Sequence, residues 1–356
     1  MKLGEKEVQE IMKFIEENDD FSIFYHLDGD GVTSATLLST ALSRLGKKVS
    51  FYRPTNYEDF ENGIAMSEIT KNIIICDLDG HPLQKNIGLF ENRNVCLIDH
   101  HELITDPGFA YINPKMWGDM TYTPCALLVY KLFEKVISDI DWVAMIGWIS
   151  DAGPKDNKEF GLSVLKKYSI PTGKHDFLLD TVFGEAAMMT NNMIIEHGRA
   201  GADEALGILL SSNSLAEFME NERIKQTSGK VDKNLKSLIE EFKTRSECVG
   251  DIIYFFEMDA SKKRYSSTLS TALGLNEYRK NVVVIMTKVR ADILKVNMRA
   301  TELNVDIPSA LRKIFEHIKG SGGGHAQASG AQIRPEDRDK FKLLFSKEIR
   351  AQLGLS

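Results

Sequence analysis

Acidic and imidazole side chains gather in four short stretches of this sequence. They are His26-Leu-Asp28-Gly-Asp30-Gly31, Asp77-Leu-Asp79-Gly80, Asp99-His100-His101, and Asp151. Each lies just after an apolar run. Carboxylates held within a few ångströms of one another repel strongly in a low-dielectric crevice, and divalent cations remove that repulsion. Mixed carboxylate and imidazole ligands suit manganese, iron or zinc, and a carboxylate-heavy set favours manganese. Two such ions about 3.5–4 Å apart lower the pKa of a bridging water and clamp the oxygens of a phosphoryl centre. Each stretch also has a bland reading. His-x-Asp-x-Asp serves as a turn with a helix cap, Asp-His-His recurs by chance, and Asp151 alone is an ordinary loop acid. What the bland readings leave unexplained is the set in order, each member at the end of an element.

A second feature is Gly320-Ser-Gly-Gly-Gly-His325. Backbone N–H groups without side-chain obstruction can cradle a phosphate or a sugar, and a histidine beside them adds a hydrogen bond or a proton. The stretch lacks the Gly-Lys-Ser/Thr of a nucleotide-binding P-loop and does not open a helix after a strand. A flexible surface turn is its bland reading. Arg299, on the apolar run Val296-Asn-Met-Arg299, is a further candidate for phosphate.

The elements that must position these residues show in the apolar pattern. Glu5–Asn18 has the apolar period of a helix. Phe21–Tyr25, Lys48–Tyr52, Asn72–Cys76 and Asn94–Ile98 read as strands, with a helix from about Thr33 to Leu45 closed by Gly46. Polar residues cluster where the strands stop. That is the pattern of a parallel α/β sheet, whose sites lie beyond the carboxyl ends of its strands. Pro124–Ile137 and Trp142–Ile149 read as helices, and Lys158 to about Thr244 is mostly helical. From Cys248 the pattern turns to strands, at Ile252–Glu257, Val282–Lys288 and Ile293–Met298, with a helix at Ile307–Ile318. The expected fold class is α/β: a parallel-sheet N-terminal domain over 1–185, a helical connector over 186–247, and a smaller mixed α/β domain over 248–356.

The net charge of −7 argues weakly against a polyanionic partner, but its distribution argues the other way. Residues 251–356 hold eighteen basic against twelve acidic side chains, a surplus of six, which leaves −13 on the first 250. A basic segment can hold a polyanion. Cys76, Cys96, Cys125 and Cys248 form no Cys-x-x-Cys pair, so they read as free thiols of a reducing compartment rather than a zinc ribbon. No apolar run reaches the roughly 18 residues of a membrane span. The charged, amphipathic start is unlike a secretory signal, so the expected location is the cytoplasm, with no membrane partner. Trp117, Tyr122 and Tyr265 are candidates for stacking on bases, and each reads first as a packing residue.

Taken together, these motifs resemble the DHH phosphoesterase superfamily with its DHHA1-type C-terminal domain. The resemblance covers nearly the whole chain. It implies that His26 and Asp28 hold one manganese, that Asp30, His100 and Asp151 hold the other, and that Asp77 bridges both. Mg2+ or Co2+ are the implied substitutes. It makes Asp99 the support of the histidines. It sets His101 against the scissile phosphate, as stabiliser or proton donor to the leaving oxygen. It gives Arg299, Gly322, Gly323, Gly324 and His325 the neighbouring nucleotide. The chain departs from the pattern at Asp77-Leu-Asp79, where two acids compete for the bridging role. Asp77, which directly ends the strand, is the expected bridge.

Within the superfamily the short layout is most similar to archaeal RecJ-like exonucleases. The implied substrate is single-stranded DNA or RNA, cut by two-metal hydrolysis. Two alternatives stand beside it. One is a phosphodiesterase for short oligonucleotides (nano-RNA) or cyclic dinucleotides. The other is a replication subunit whose partner is a GINS-type complex.

Overall fold

Four apolar runs of the N-terminal region are strands of one parallel sheet. In chain order the region runs α1 (Glu5–Glu16), β1 (Asp20–His26), α2 (Gly29–Arg44), β2 (Lys48–Thr55), α3 (Tyr57–Asn62), β3 (Asn72–Cys76), α4 (Gly80–Lys85), β4 (Asn94–Ile98) and β5 (Ala110–Ile112). Helices follow: α5 (Cys125–Ile137), α6 (Asp141–Ser150), α7 (Lys158–Lys167), α8 (Val182–His197), α9 (Arg199–Ser211), α10 (Leu215–Glu220) and α11 (Glu222–Arg245). This computed structural model describes residues 3–63, 68–151, 153, 156–172 and 178–355. It divides into two compact units, Met1–Gly229 and Lys230–Ser356, with α11 carrying the chain across the division.

The first sheet has the strand order β2-β1-β3-β4-β5, all pairs parallel. Its central strands are buried on both faces, as Asn72-Ile-Ile-Ile-Cys76 requires. Alternate side chains go to opposite sides. Ile23, Tyr25, Ile74, Cys76, Cys96 and Ile98 join the core beneath α2, α5 and α6. Phe24, Ile73, Ile75, Val95 and Leu97 join a second core with Leu83 of α4 and Phe90. From β1 the chain goes outward to β2 and then crosses back to β3 on the other side of β1. The carboxyl ends of β1, β3 and β4 therefore open side by side where the strand order reverses, the place where such sheets collect their ligands. The short β5, three residues long, carried no readable period in the sequence.

The second unit holds β6 (Glu247–Val249), β7 (Ile253–Met258), α12 (Ser266–Leu275), β8 (Val282–Lys288), β9 (Leu294–Arg299), α13 (Ile307–Phe315), β10 (Gly320–His325), β11 (Ala328–Ile333) and α14 (Arg338–Gln352). Its sheet runs β10-β11-β9-β8-β7-β6, antiparallel except for β7 with β8. Val284, Met286, Val296, Met298 and Ala331 face a core with Leu311, Phe341 and Phe345 of α13 and α14. On the opposite face Asn297 donates to Ser266 at the start of α12, at 2.9 Å.

The glycine stretch departs from the expected loop. Gly320–His325 is an exposed edge strand, paired residue for residue with β11. Glycines have no side chain with which to show a strand's period, so pairing rather than pattern makes this element.

Close packing of α2, α5 and α6 depends on Gly147. A Cβ there would meet Thr33 Oγ1 at 2.2 Å and Ala126 Cβ at 2.4 Å, and the Ala126 Cβ has no rotamer by which to swing away. Gly147→Ala is expected to destabilise the first unit by about 1–3 kcal/mol through overpacking. A urea melt followed by circular dichroism checks this, and an unchanged midpoint would contradict it.

Candidate metal centre

The turn after β1 needs its glycines to aim its acids. Asp28 caps α2, its Oδ1 taking the N–H of Gly31 at 2.9 Å. A Cβ on Gly31 would stand 2.2 Å from the carbonyl oxygen of His26, so only glycine lets the chain double back here. Asp28 Oδ2 lies 2.7 Å from His26 Nδ1. Asp30, on the first turn of α2, is buried. Its carboxylate receives the amides of Cys125 and Ala126 at 2.7 and 2.8 Å. These are first-turn donors of α5, which have no partner within their own helix and favour negative charge.

Asp77 stands directly after β3 with φ of 62°, a left-handed backbone uncommon for a residue with a side chain. Its N–H donates to Ile98 O at 3.0 Å, and only 2% of the residue is exposed. Oδ1 lies 3.2 Å from His100 Nε2 and Oδ2 lies 3.7 Å from His26 Nδ1. Asp79 takes a different direction. It caps α4, accepting from His81 N at 2.9 Å and pairing with His81 Nδ1 at 2.9 Å. Of the two competing acids, the fold thus brings Asp77 into the cluster and keeps Asp79 at the helix cap.

Beyond β4, Asp99 is fully buried, and its N–H donates to Ile112 O of β5 at 3.0 Å. Its Oδ1 holds His101 Nδ1 at 2.6 Å and its Oδ2 accepts from His101 N at 3.2 Å. Asp151 follows α6 as its C-cap, with Oδ2 3.5 Å from His100 Nε2. Three groups of cation-ligating atoms result, each within 4.8 Å: His26/Asp28/Asp77, Asp77/His100/His101 and Asp30/His100/Asp151. Asp77 belongs to two of them, and His100 to two.

Three further side chains act here that sequence reasoning did not place. Tyr122 donates its hydroxyl to Asp151 Oδ2 at 2.6 Å and sets its ring edge-on to His100, 5.4 Å between centroids. A loop tyrosine 29 residues from its acid leaves no spacing signal. Asn113 and Lys115 converge on the carbonyl of His101 at 3.1 and 2.8 Å. Their only signal was the Asn-Pro-Lys turn that Asn113 caps.

In the second unit, Arg299 ends β9 and is cross-strand partner of Ala328, which is partner of His325. The three occupy one row on one face of the sheet. The Arg299 guanidinium has no hydrogen bond or ion pair among the described residues, and burial lowers its pKa. A half-buried guanidinium without an acid is suited to an anionic ligand. Gly322 has backbone against it, since a Cβ would lie 2.6 Å from Gly330 O, whereas Gly323 faces open space. Gly324 takes φ of 132°. His325 is exposed at the tip.

Charge crowding governs the protonation of the first unit's cluster. Burial raises Asp30, and repulsion from Asp77, Asp151 and Asp28 adds to it, well beyond what the α5 amides take back. Asp151 is pushed up to about 6, mainly by burial, with the attraction of His100 set against repulsion from Asp77 and Asp28. Burial alone would raise Asp77, but His100 beside Oδ1 and the nearby imidazole of His26 hold it well below the usual carboxylate range. For His26 and His100, burial opposes the charged form and the neighbouring carboxylates overcome it, so both are raised. His101 follows the same logic with Asp99 as its partner and reaches about 9. Protons thus do here what cations do better.

The donor set fits divalent cations. Asp77 Oδ2 and His100 Nδ1 are buried and have no hydrogen-bond partner. The orphaned carboxylate oxygen is an acceptor waiting for positive charge, and carboxylate with imidazole is the ligand chemistry of Mn2+ and its neighbours. Because His26, His100, Asp30 and Asp151 carry raised pKa values, ligation must strip protons from those that hold them at neutral pH. Adding Mn2+ at pH 7 is therefore expected to release about one proton or more per protein. An indicator dye in weakly buffered solution reads this, and Asp77→Asn should abolish most of it whereas Asp79→Asn should not. Equal loss in both variants would contradict the placement.

Comparison with known proteins matches both units of the fold. Residues 20–147 match the DHH family, N-terminal domain, and residues 250–351 match the DHHA1 domain. No curated protein matches in sequence. RecJ from Thermus thermophilus, solved in complex with Mn2+, superposes with a TM-score of 0.71 at 16% identity. The match covers 98% of this chain and 55% of that one, so this chain spans about half its length. An exonuclease RecJ bound to manganese gives 0.68 at 16% identity, over 97% of this chain and 94% of that one. CDC45 from Entamoeba histolytica gives 0.59 at 13% identity, over 97% and 99%. At these identities the likeness is one of fold. With one family domain matched in each unit and a RecJ-like fold under both, the chain belongs to the DHH phosphoesterase superfamily.

Proposed function

We propose that this chain is a manganese-dependent phosphodiesterase acting as a RecJ-like exonuclease on single-stranded DNA or RNA. The observation that carries this reading is Asp77, a buried carboxylate between His26 and His100 with one oxygen left without a partner. A purely scaffolding subunit has no need of so costly a cluster. His26, Asp28 and Asp77 would hold one cation, and Asp30, His100, Asp151 and Asp77 the other. Cations so bound supply Lewis-acid charge at the phosphoryl oxygens and lower the pKa of the attacking water.

The chain's own groups do the rest. Hydrolysis adds water to phosphorus, breaks one bridging P–O bond and delivers a proton to the departing oxygen. Asp99 occupies His101 Nδ1, so Nε2 is the atom that can carry that proton. Asp99 favours the protonated form of His101, which can stabilise the phosphate before it donates. Asn113 and Lys115 hold the His101 backbone, fixing where the ring stands. In the second unit, Arg299 and the glycine strand at Gly322, Gly323 and Gly324, with His325 at its end, would bind a neighbouring nucleotide. The basic surplus of that part of the chain suits a polyanion whose binding weakens with salt.

End-labelled single strands of two to thirty nucleotides, DNA and RNA, test the reading with Mn2+ present. Long strands should be degraded by the wild type and left intact by Asp77→Ala, and label position gives the direction. Cutting of the shortest strands alone would favour the oligonucleotide alternative. No cutting with any divalent cation, together with tight binding of a GINS-type partner, would favour the replication-subunit alternative. Arg299→Ala is expected to raise KM about tenfold or more with kcat nearly unchanged, as loss of a charge-assisted phosphate contact does. A fall in kcat at constant KM would contradict that role.

A further inference from the structure

Asn191 lies in the middle of α8, an unfavourable place for an asparagine in an ordinary helix. Its side chain is fully engaged. Oδ1 accepts the N–H of Gly29 at 3.1 Å. Nδ2 donates to Ala187 O one turn back at 3.0 Å, and stands 3.4 Å from Ser150 Oγ. Gly29 is the first residue of α2, and its N–H has no partner within its own helix. Ser150 is the last residue of α6. One side chain thus joins two helix ends from a third helix.

Those two ends carry the ligand candidates. Asp28 and Asp30 flank Gly29, and Asp151 follows Ser150. The fit leaves no slack. A Cβ on Gly29 would lie 2.4 Å from Ser150 Oγ and 2.9 Å from Asn191 Nδ2, so the turn is pressed against both. Asp30 and Asp151 also have their own partners, the α5 amides and Tyr122, so the tie acts on the backbone that carries them.

We infer that Asn191 is a positioning residue of the cation site, tying the turn that carries Asp28 and Asp30 to the end of α6 that carries Asp151. This rests on the metal-site reading given above. Partners that orient ligands in this indirect way typically cost about 10–100-fold in metal affinity when removed.

The test is direct Mn2+ binding, with free Mn2+ read by electron paramagnetic resonance and folding read by a thermal melt. Wild type is compared with Asn191→Ala, Ser150→Ala and Thr190→Val. Thr190 is the neighbour of Asn191 on α8, buried and bonded to Ala186 O at 2.9 Å, so it controls for damage to the helix itself. Asn191→Ala is expected to weaken Mn2+ at one site by about tenfold or more, while the melting temperature stays close to that of Thr190→Val. Ser150→Ala, which cuts the tie at its other end, should weaken it in the same direction by less. Should Asn191→Ala unfold, Ser150→Ala carries the test. Wild-type affinity in both cut variants, or an equal loss in Thr190→Val, would overturn the inference. If wild type binds no Mn2+, the metal-site reading fails first and the inference falls with it.

Discussion

Asp77 is a carboxylate removed from water, held on a left-handed backbone and faced by two imidazoles and three further acids. Several anions in one crevice are tolerable only with compensating positive charge. Almost every local feature of the first unit supplies or anticipates that charge. The first-turn amides of α5 point at Asp30. The histidines at the ends of β1 and β4 turn to Asp77. Tyr122 gives its hydroxyl to Asp151.

The sheet makes the crowding unavoidable. β1, β3 and β4 are parallel neighbours, so His26, Asp77 and Asp99 leave the sheet side by side, at strand spacings of about 4.8 Å. Ile98 is the knot in this arrangement. Its carbonyl accepts from Asp77 N–H at 3.0 Å and from Cys125 Sγ at 3.3 Å. One backbone oxygen therefore couples the left-handed residue to the start of α5. The three buried thiols, Cys76, Cys96 and Cys125, fill space beneath the site as small apolar groups.

The second unit solves a different problem with different means. It has no buried acidic cluster among the described residues. It offers a basic surplus, a strand of glycines whose backbone nothing covers at Gly323, and an arginine without an acid in the same row as His325. Removing side chains from an edge strand invites pairing with other chains.

Sequence by itself determined the parallel α/β character of the first unit, because fully buried strands must be continuous apolar runs such as Asn72–Cys76. It also singled out the acids and imidazoles, because each ends such a run. Tertiary structure decided everything that depends on distance between segments. Asp77 and Asp79 have the same chemistry, and only backbone direction separates the one that meets His26 and His100 from the one that caps a helix. Tyr122, Asn113, Lys115 and Asn191 act through contacts between elements far apart in the chain, for which spacing carries no signal. The glycine strand eluded pattern reading for the opposite reason, since its identity lies in hydrogen bonds to β11 and not in side chains. Period reports which face of one element is buried; the meeting of faces from different elements is a property of the folded chain alone.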